Sequence, residues 1–280
     1  MCKGLPRMPK RRLDTLLAER GLFASRTRAA ASVMAGEVHL GAGRRRAAKP
    51  GEMVDEEELV SVDARAAFVS RGGIKLANAL AATAVEVGDR SAIDVGASTG
   101  GFTDCLLQAG AREVIAVDVG YGTLDYRLRS DPRVRVLERT NARALTPAML
   151  ADGAGDSLEL PDLATIDVSF ISLAKVLGAV LACLADGYEV LALVKPQFEL
   201  GRGRVGKGGV VRDGADRREA LIGAGRAALA QGAAVRGFVS SGLPGPKGNR
   251  ESFMWLADPD ANLGAHDPGE LESLAREVEP

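Results

Sequence analysis

From residue 67 onward, apolar β-branched runs alternate with helical stretches, and nothing else in the 280-residue chain constrains its fold as strongly. The runs are AIDV (92–95), EVIAVDV (113–119), VRVL (134–137), LATIDV (163–168), EVLALVK (189–195) and VRGFVS (235–240). Between them, helices are clearest over 102–109, 170–185 and 214–231. Strands alternating with helices predict an α/β domain built on a doubly wound, mostly parallel sheet. Ligands of such sheets sit beyond the carboxyl ends of the strands, near the point where the strand order reverses. Residues 151–161 (ADGAGDSLELP) read as a surface loop, and the acidic tail 264–280 as a loose terminal helix.

The first 66 residues follow a different grammar. Leu13, Leu16, Leu17 and Leu22 fall near helical spacing, with Gly21 placed to end that helix. Ser25 suits the N-cap of a second helix with Ala29, Ala30, Val33 and Met34 on its apolar stripe, and Gly36 would stop it. VHLGAGRRR then reads as a strand and turn, and ELVSV as a further strand. Two short helices and a few strands make a marginal core, of a kind usually attached to something larger.

The charge is concentrated in the same place. Residues 1–50 hold twelve Lys/Arg against three acids, a net +9, which leaves −10 for the rest of a chain whose net charge is −1. Such asymmetry marks a partner that is a polyanion, nucleic acid before anionic membrane. The order L-D-x-x-L, S-R-x-x-A, G-x-V over residues 11–66 resembles the S-four-type RNA-binding domain. That resemblance implies RNA contacts by Arg12, Ser25, Arg26, Arg28 and Arg44, Arg45 and Arg46. Phosphate contacts of this kind position a protein without reading sequence.

The first strand of the larger domain runs into a glycine-rich turn, AIDVGASTGGFTDCL (92–106). This is neither G-x-G-x-x-G nor a Walker loop, since no Gly-Lys-Ser/Thr follows. Three glycines at a helix start weaken the helix unless a ligand needs the backbone close. Asp94 lies beside the turn, and Asp118 closes the second strand 17 residues after Gly101, where it could accept ribose hydroxyl protons. An acid there suits NAD as well as S-adenosylmethionine, so Asp118 alone does not choose between them. The pattern D-x-G-x-x-x-G-G-F-[ST] is more selective: it resembles the first cofactor motif of FtsJ-like RNA 2′-O-ribose methyltransferases and favours S-adenosylmethionine.

Lysines and acids stand at strand ends or beside them. Lys75 lies in VSRGGIKL, Asp167 in IDVSF, Lys195 in VLALVKPQFE and Glu251 in GPKGNRES. A ribose hydroxyl is a poor nucleophile, and a lysine held by carboxylates can align it and stabilise its developing negative charge without a histidine. These four match the Lys-Asp-Lys-Glu tetrad of the FtsJ-like enzymes in order and local context. With SRGGIKL, DVGASTGGFTD, VDVGYG, ERTN, IDVSFISL, LVKPQFE and KGNRE spread over residues 70–251, the chain resembles the TlyA subgroup of rRNA methyltransferases.

The resemblance implies a small α+β RNA-binding domain over 11–66 and a Rossmann-like, S-adenosylmethionine-dependent methyltransferase domain over 67–265. Lys195 would serve as base or alkoxide-stabilising cation; Lys75 and Asp167 would set its charge and place the hydroxyl; Glu251 would orient the ribose or a lysine. Gly96, Ala97, Ser98, Thr99, Gly100, Gly101 and Phe102 would wrap the methionine moiety beside Asp94, and Asp118 would bind the cofactor ribose. Tyr121, Asn141 and Phe170 would line the adenine or sulfonium side. The implied substrate is cytidine in the rRNA of the large ribosomal subunit, with the chain's length leaning towards both subunits.

Rival chemistries have weaker support. Amino methylation of a base favours [ND]-P-P-[YF] where this chain reads DVSF, and carbon-5 methylation needs a nucleophilic cysteine, whereas Cys105 and Cys183 sit in helical runs. This family has also been labelled haemolysin, but no apolar run approaches the roughly 20 residues of a membrane helix, and no secretory h-region follows the basic start. Three cysteines without metal or redox spacing predict a reducing, cytoplasmic setting, and His39 and His266 alone predict no metal site. A monomer is expected.

Overall fold

The computed structural model describes residues 9–62, 67–151, 159–206, 208–259, 267 and 269–279. It divides into two compact units, Met1–Ala66 and Ala67–Pro280. Most of the segment read as a surface loop, 152–158, lies outside the described residues.

The first unit comprises β1 (Lys10–Arg12), α1 (Leu13–Glu19), α2 (Arg26–Ala35), β2 (Val38–Leu40), β3 (Arg45–Arg46), β4 (Met53–Asp55) and β5 (Val60–Val62). β1 pairs with β4, and β3, β2 and β5 form an antiparallel sheet. The helices close over them through Leu13, Leu16, Leu17, Ala29 and Val33, against Val38, Leu40, Ala47 and Val54. The expected punctuation is present: Ser25 Oγ accepts the Arg28 N–H at 3.2 Å, and Gly36, at φ +81°, ends α2. A Cβ on Gly36 would also collide with the Arg46 guanidinium.

The second unit is a seven-stranded sheet flanked by helices. Its elements are α3 (Arg71–Thr83), β6 (Ser91–Val95), α4 (Gly101–Gln108), β7 (Glu113–Val117), α5 (Tyr126–Arg129), β8 (Val134–Leu137) and α6 (Pro147–Leu150). They continue with β9 (Leu163–Ile166), α7 (Leu177–Leu181), β10 (Glu189–Val194), α8 (Pro196–Glu199), α9 (Gly214–Ala230), β11 (Ala234–Ser240), β12 (Ser252–Ala257) and α10 (Leu271–Val278). The strand order is β11-β12-β10-β9-β6-β7-β8. β8, β7, β6, β9 and β10 run parallel, and β12 inserts antiparallel between β10 and β11. The order reverses between β6 and β9, so the crevice of a doubly wound sheet opens there.

Strand alternation assigns the faces. Ile93 and Val95, Ile115 and Val117, and Val190, Ala192 and Val194 pack towards α7, α9 and α10. Ala92, Val114, Ala116, Leu191 and Leu193 join Leu76, Phe102, Leu106 and Phe253 on the side of α3 and α4. The terminal helix α10 is an integral part of this unit, because Leu271 and Ala275 are fully buried in the first of these clusters.

Three elements depart from the sequence reading. The helix expected over 170–185 shrinks to a 3₁₀ turn at Leu173–Lys175 and the five-residue α7. Phe170 lies in the left-handed region (φ +65°), and Ser172 starts the chain afresh by accepting the Ala174 N–H. β12 is not expected from the sequence reading; SFMWLA follows the Gly- and Pro-rich loop before Glu251 with no helix between it and β11, and it pairs antiparallel. Helix α3 was also not anticipated, since SRGG at its start reads as a breaker.

One buried acid belongs to this framework. Asp94 is fully buried beneath α4, where its carboxylate accepts hydrogen bonds from Thr103 Oγ1 (2.7 Å) and Thr165 Oγ1 (3.1 Å). Burial dominates and pushes its carboxyl up to about 7. Because the folded value lies above the unfolded one, stability linked to this group is complete below about pH 4 and is lost as pH rises towards 7. Urea titrations of wild type and Asp94→Asn from pH 4 to 8 should therefore show wild type losing ground to the variant up to about pH 7 and no further. A pH-independent difference would mean that Asp94 does not titrate in this window.

Candidate active site

The turn after β6 is shaped by a close approach. Gly96 has φ +90°, and a Cβ there would lie 2.6 Å from the Asp167 carbonyl oxygen, so only glycine lets the turn pass the end of β9. The Gly96 and Ala97 N–H groups both donate to Val117 O, at 2.8 and 3.1 Å. Ser98 is left-handed (φ +50°) and its N–H donates to Asp118 Oδ2 at 2.8 Å, while Asp118 Oδ1 accepts from Gly120 N–H at 2.6 Å. Gly100 (φ +95°) is the N-cap of α4. Gly101 lies against α3: a Cβ on it would meet Ser70 Oγ at 2.2 Å and Gly73 N at 2.9 Å. This glycine contact lets α3 cross α4 closely, which brings Lys75 to the carboxyl edge of the sheet.

Two lysine–carboxylate pairs meet beside the turn. Lys75 Nζ, on α3, lies 2.5 Å from Glu251 Oε2, and both residues are buried, at 7% and 3% exposure. Gly245 makes room for this carboxylate, since a Cβ there would fall 2.2 Å from Glu251 Oε1. Lys195 ends β10 and precedes Pro196, the first residue of α8. Its Nζ lies 2.5 Å from Asp167 Oδ1 and donates to Ser169 Oγ at 2.9 Å. All four charged residues line one cavity of about 810 Å³, together with Gly96–Thr99, Gly101 and Phe102. Buried charges are tolerated when paired, and these are.

The structure therefore brings together Lys75, Asp167, Lys195, Glu251, Gly96, Ala97, Ser98, Thr99, Gly101, Phe102 and Phe170. Other expected cofactor residues lie outside the cavity wall. Asp94 is sealed beneath the turn, and Asp118 stands behind it, anchoring Ser98. The Gly100 position closes on Leu124 and Leu128 instead. Asn141 Oδ1 caps the 3₁₀ turn Ala142–Ala144 by accepting the Arg143 N–H. Tyr121 is 69% exposed and stacked on Arg139. Phe170 is 91% exposed at the cavity mouth, where its ring packs on Phe198 at 5.3 Å between centroids.

Several lining residues escaped the sequence reading although they sit inside motifs it quoted. Ser169 and Phe198 lie two and three residues beyond Asp167 and Lys195, the usual reach of a loop leaving a parallel strand. Asn249 is buried at 2% exposure; its Oδ1 accepts from Val211 N–H and its Nδ2 donates to Gly209 O, both at 2.8 Å. It thus ties the 209–211 segment to the loop carrying Glu251. Glu199 joins the loops after β9 and β10 in the same way, accepting from Ser172 Oγ (2.6 Å) and Leu173 N–H (2.9 Å), and burial raises its carboxyl above the ordinary range.

In the first unit, the expected RNA-contact residues are mostly engaged with their own chain. Ser25 caps α2. Arg12 and Arg26 flank the buried Asp14 at 2.7 and 3.7 Å, and the Arg12 partnership holds the Asp14 carboxyl below its usual value. Arg45 pairs with Glu52 at 2.6 Å, and Arg46 donates to Ala35 O at 3.0 Å. Arg28 and Arg44 are exposed. The guanidinium groups of Arg12, Arg26 and Arg45 stay half-exposed or more despite their acid partners. Among the described residues, no cluster of three or more His, Cys, Asp or Glu could hold a metal ion.

Comparison with known proteins places this geometry. A family model described as FtsJ-like methyltransferase matches residues 68–257. A 16S/23S rRNA (cytidine-2′-O)-methyltransferase TlyA of Mycobacterium tuberculosis is 47% identical over 247 residues, covering 88% of this chain and 89% of its own. A putative rRNA methyltransferase YqxC of Bacillus subtilis is 44% identical over 271 residues, covering 96% and 93%. A solved structure described as a putative hemolysin from Streptococcus thermophilus superposes with a TM-score of 0.70 at 41% identity, over 97% of this chain and 96% of that one. With a glycine turn at the β6–β9 crevice, one buried and one partly buried lysine–carboxylate pair lining the same cavity and relatives matched over nearly their whole length, the chain belongs to the FtsJ-like methyltransferase family.

Proposed function

We propose that this chain transfers a methyl group from S-adenosylmethionine to the 2′-hydroxyl of a cytidine in ribosomal RNA. The observation that carries this reading is the convergence of the Lys75–Glu251 and Lys195–Asp167 pairs on the cavity that the glycine turn lines. The cavity fits the donor: Gly96 and Gly101 bare the backbone where side chains would fill the space, and about 810 Å³ is ample for a nucleoside with an amino-acid tail. When bound, S-adenosylmethionine supplies a methyl group made electrophilic by its sulfonium.

The remaining work falls to the protein. The backbone of Gly96–Thr99 holds the cofactor tail, and Asp118, through Ser98, fixes the shape of that cradle. Lys195 directs its ammonium towards the target hydroxyl and stabilises the negative charge that grows on the oxygen, in a partly dry site where such a charge counts for more than in water. Asp167 and Ser169 fix the direction of that ammonium. Glu251 holds Lys75 as a second cation in the same cavity, available to the ribose. The exposed Phe170, backed by Phe198, offers a face for the target base once it has left its stack. The +9 arm of the first unit supplies attraction to the RNA backbone. The reading puts the protein on ribosomal subunits in the cytoplasm, as a monomer.

Two other chemistries fare worse. Cys105 and Cys183 are buried, and desolvation pushes their thiols up to about 12 and about 11, which unfits them as carbon-5 nucleophiles. Among the described residues no helix is long and apolar enough to cross a membrane.

Methyl transfer to ribosomal subunits from a strain lacking the modification tests the reading. Lys195→Ala should lower the single-turnover rate at least ~10²-fold while the dissociation constant for S-adenosylmethionine stays within a few-fold of wild type. A fully active Lys195→Ala would defeat the mechanism. Separately, RNA affinity should fall steeply as salt rises from ~50 to ~200 mM, and deleting residues 1–66 should flatten that slope. A slope unaffected by the deletion would remove the first unit as an RNA anchor.

A further inference from the structure

Tyr121 and Arg139 stand at the carboxyl edge of the sheet, outside the cavity. Tyr121 is in the loop after β7 and Arg139 directly follows Glu138 at the end of β8. Both are exposed, yet the Arg139 guanidinium carbon lies 4.4 Å from the Tyr121 ring centroid. Their loops are stitched together: Arg139 N–H donates to Gly120 O at 3.0 Å, Thr140 N–H to Asp118 O at 2.9 Å, and Gly122 N–H to Glu138 Oε1 at 2.7 Å. Glu138, which precedes Arg139, also holds Arg129 in an ion pair. The stacked pair is thus fixed in place while its faces remain in solvent.

Stability does not explain it. Arg139 adopts a left-handed backbone (φ +54°), a conformation unfavourable for any side-chain-bearing residue. An exposed cation–π contact is among the weaker contacts in a protein and does not offset that strain. Strained, exposed and rigid residues concentrate where a ligand is received. The left-handed residues Ser98, Arg139 and Phe170 all lie just past strand ends on this edge.

We propose that Tyr121 and Arg139 form a stacking platform for an unpaired nucleotide of the RNA substrate that flanks the methylated one. An aromatic ring backed by a guanidinium accepts a base on its open face and leaves a positive charge for the adjoining phosphate. Arg143, exposed in the 3₁₀ turn Ala142–Ala144 that follows, adds a further cation nearby in sequence. The strand order sets the spacing: Phe170 and Phe198 follow β9 and β10, whereas Tyr121 and Arg139 follow β7 and β8, three strand intervals away, or about 14 Å. An RNA strand that inserts its target at Phe170 and lies along this edge reaches the platform with a neighbouring nucleotide. The inference rests on the rRNA reading given above, and it moves Tyr121 from the cofactor to the substrate.

The test uses the full chain with large ribosomal subunits from a strain lacking the modification. Tyr121→Ala and Arg139→Ala should each raise KM for the subunits about ten-fold, with kcat and the dissociation constant for S-adenosylmethionine within two-fold of wild type. Tyr121→Phe should retain wild-type KM, because the ring face and not the hydroxyl is used. The thermal midpoint of Tyr121→Ala should match wild type, since the side chain is exposed. A Tyr121→Ala protein with weakened binding of S-adenosylmethionine would return the residue to the adenine side and overturn the proposal, as would an unchanged KM. If wild type itself methylates no rRNA, the functional reading fails; if wild type is active and Tyr121→Ala has its KM, only the platform fails.

Discussion

The contact on which the methyltransferase unit depends is the buried ion pair between Lys75 and Glu251, made across 176 residues of sequence. It joins the first helix of the unit to the residue that opens β12, the strand that completes the sheet. Removing two charges from water is expensive, and a pair of apolar residues of similar volume would often stabilise a fold as well or better. The pair is therefore poorly explained by stability, while its position on the cavity wall explains it well. Around it the chain has arranged glycines where side chains would intrude: Gly245 beside the Glu251 carboxylate, and Gly101 where α4 crosses the start of α3.

A second pair, Lys195 with Asp167, faces the same cavity, so the four residues act as two lysines each with its own acid. The resemblance implies that Lys75 and Asp167 set the charge of Lys195 and that Glu251 orients the ribose or a lysine, and the contacts present are Asp167 with Lys195 and Glu251 with Lys75. In the structure Asp167 alone pairs with Lys195, assisted by Ser169, and Glu251 is committed to Lys75. The consequence is chemical. Each ammonium keeps a fixed direction because its counter-ion is held by a separate strand end. Two cations, each held by its own carboxylate on the wall of one cavity, suit alignment of a hydroxyl more than extraction of a proton across a relay.

Much of this was legible in the sequence because parallel strands write themselves plainly. Runs such as AIDV, EVIAV and LALV are buried on both faces, so they stand out as continuous apolar stretches, and the residue after each run falls at the carboxyl edge. Asp167 and Lys195 are therefore legible at the carboxyl edge from the sequence alone. The failures came where long-range packing overrode local signals. β12 is antiparallel and follows a polar loop, so SFMWLA has no helix before it to mark it as a strand. The stretch 170–185 has helical composition, but the left-handed Phe170 and the Glu199 contacts to Ser172 and Leu173 hold its first turn to another purpose. An acid near a glycine turn reads as a ligand contact in sequence; the fold adds that Asp94 accepts hydrogen bonds from Thr103 and Thr165 and that Asp118 holds the turn through the Ser98 N–H.

That last distinction bears on how the glycine turn works. Gly96 is pressed against the Asp167 carbonyl, and the N–H of Asp167 in turn donates to Val95 O at 2.9 Å. The glycine turn and Asp167 are thus hydrogen-bonded neighbours at the ends of adjacent strands, β6 and β9. Any displacement of the turn is transmitted to Asp167, and through the 2.5 Å ion pair to Lys195. On the proposed mechanism, the methyl donor's cradle and the cation that stabilises the acceptor oxygen belong to one hydrogen-bonded unit at the crevice. In-line transfer demands that donor and acceptor be registered to within a fraction of an ångström. Building both on the ends of two hydrogen-bonded strands, with glycine at their closest approach, meets that demand without a moving part.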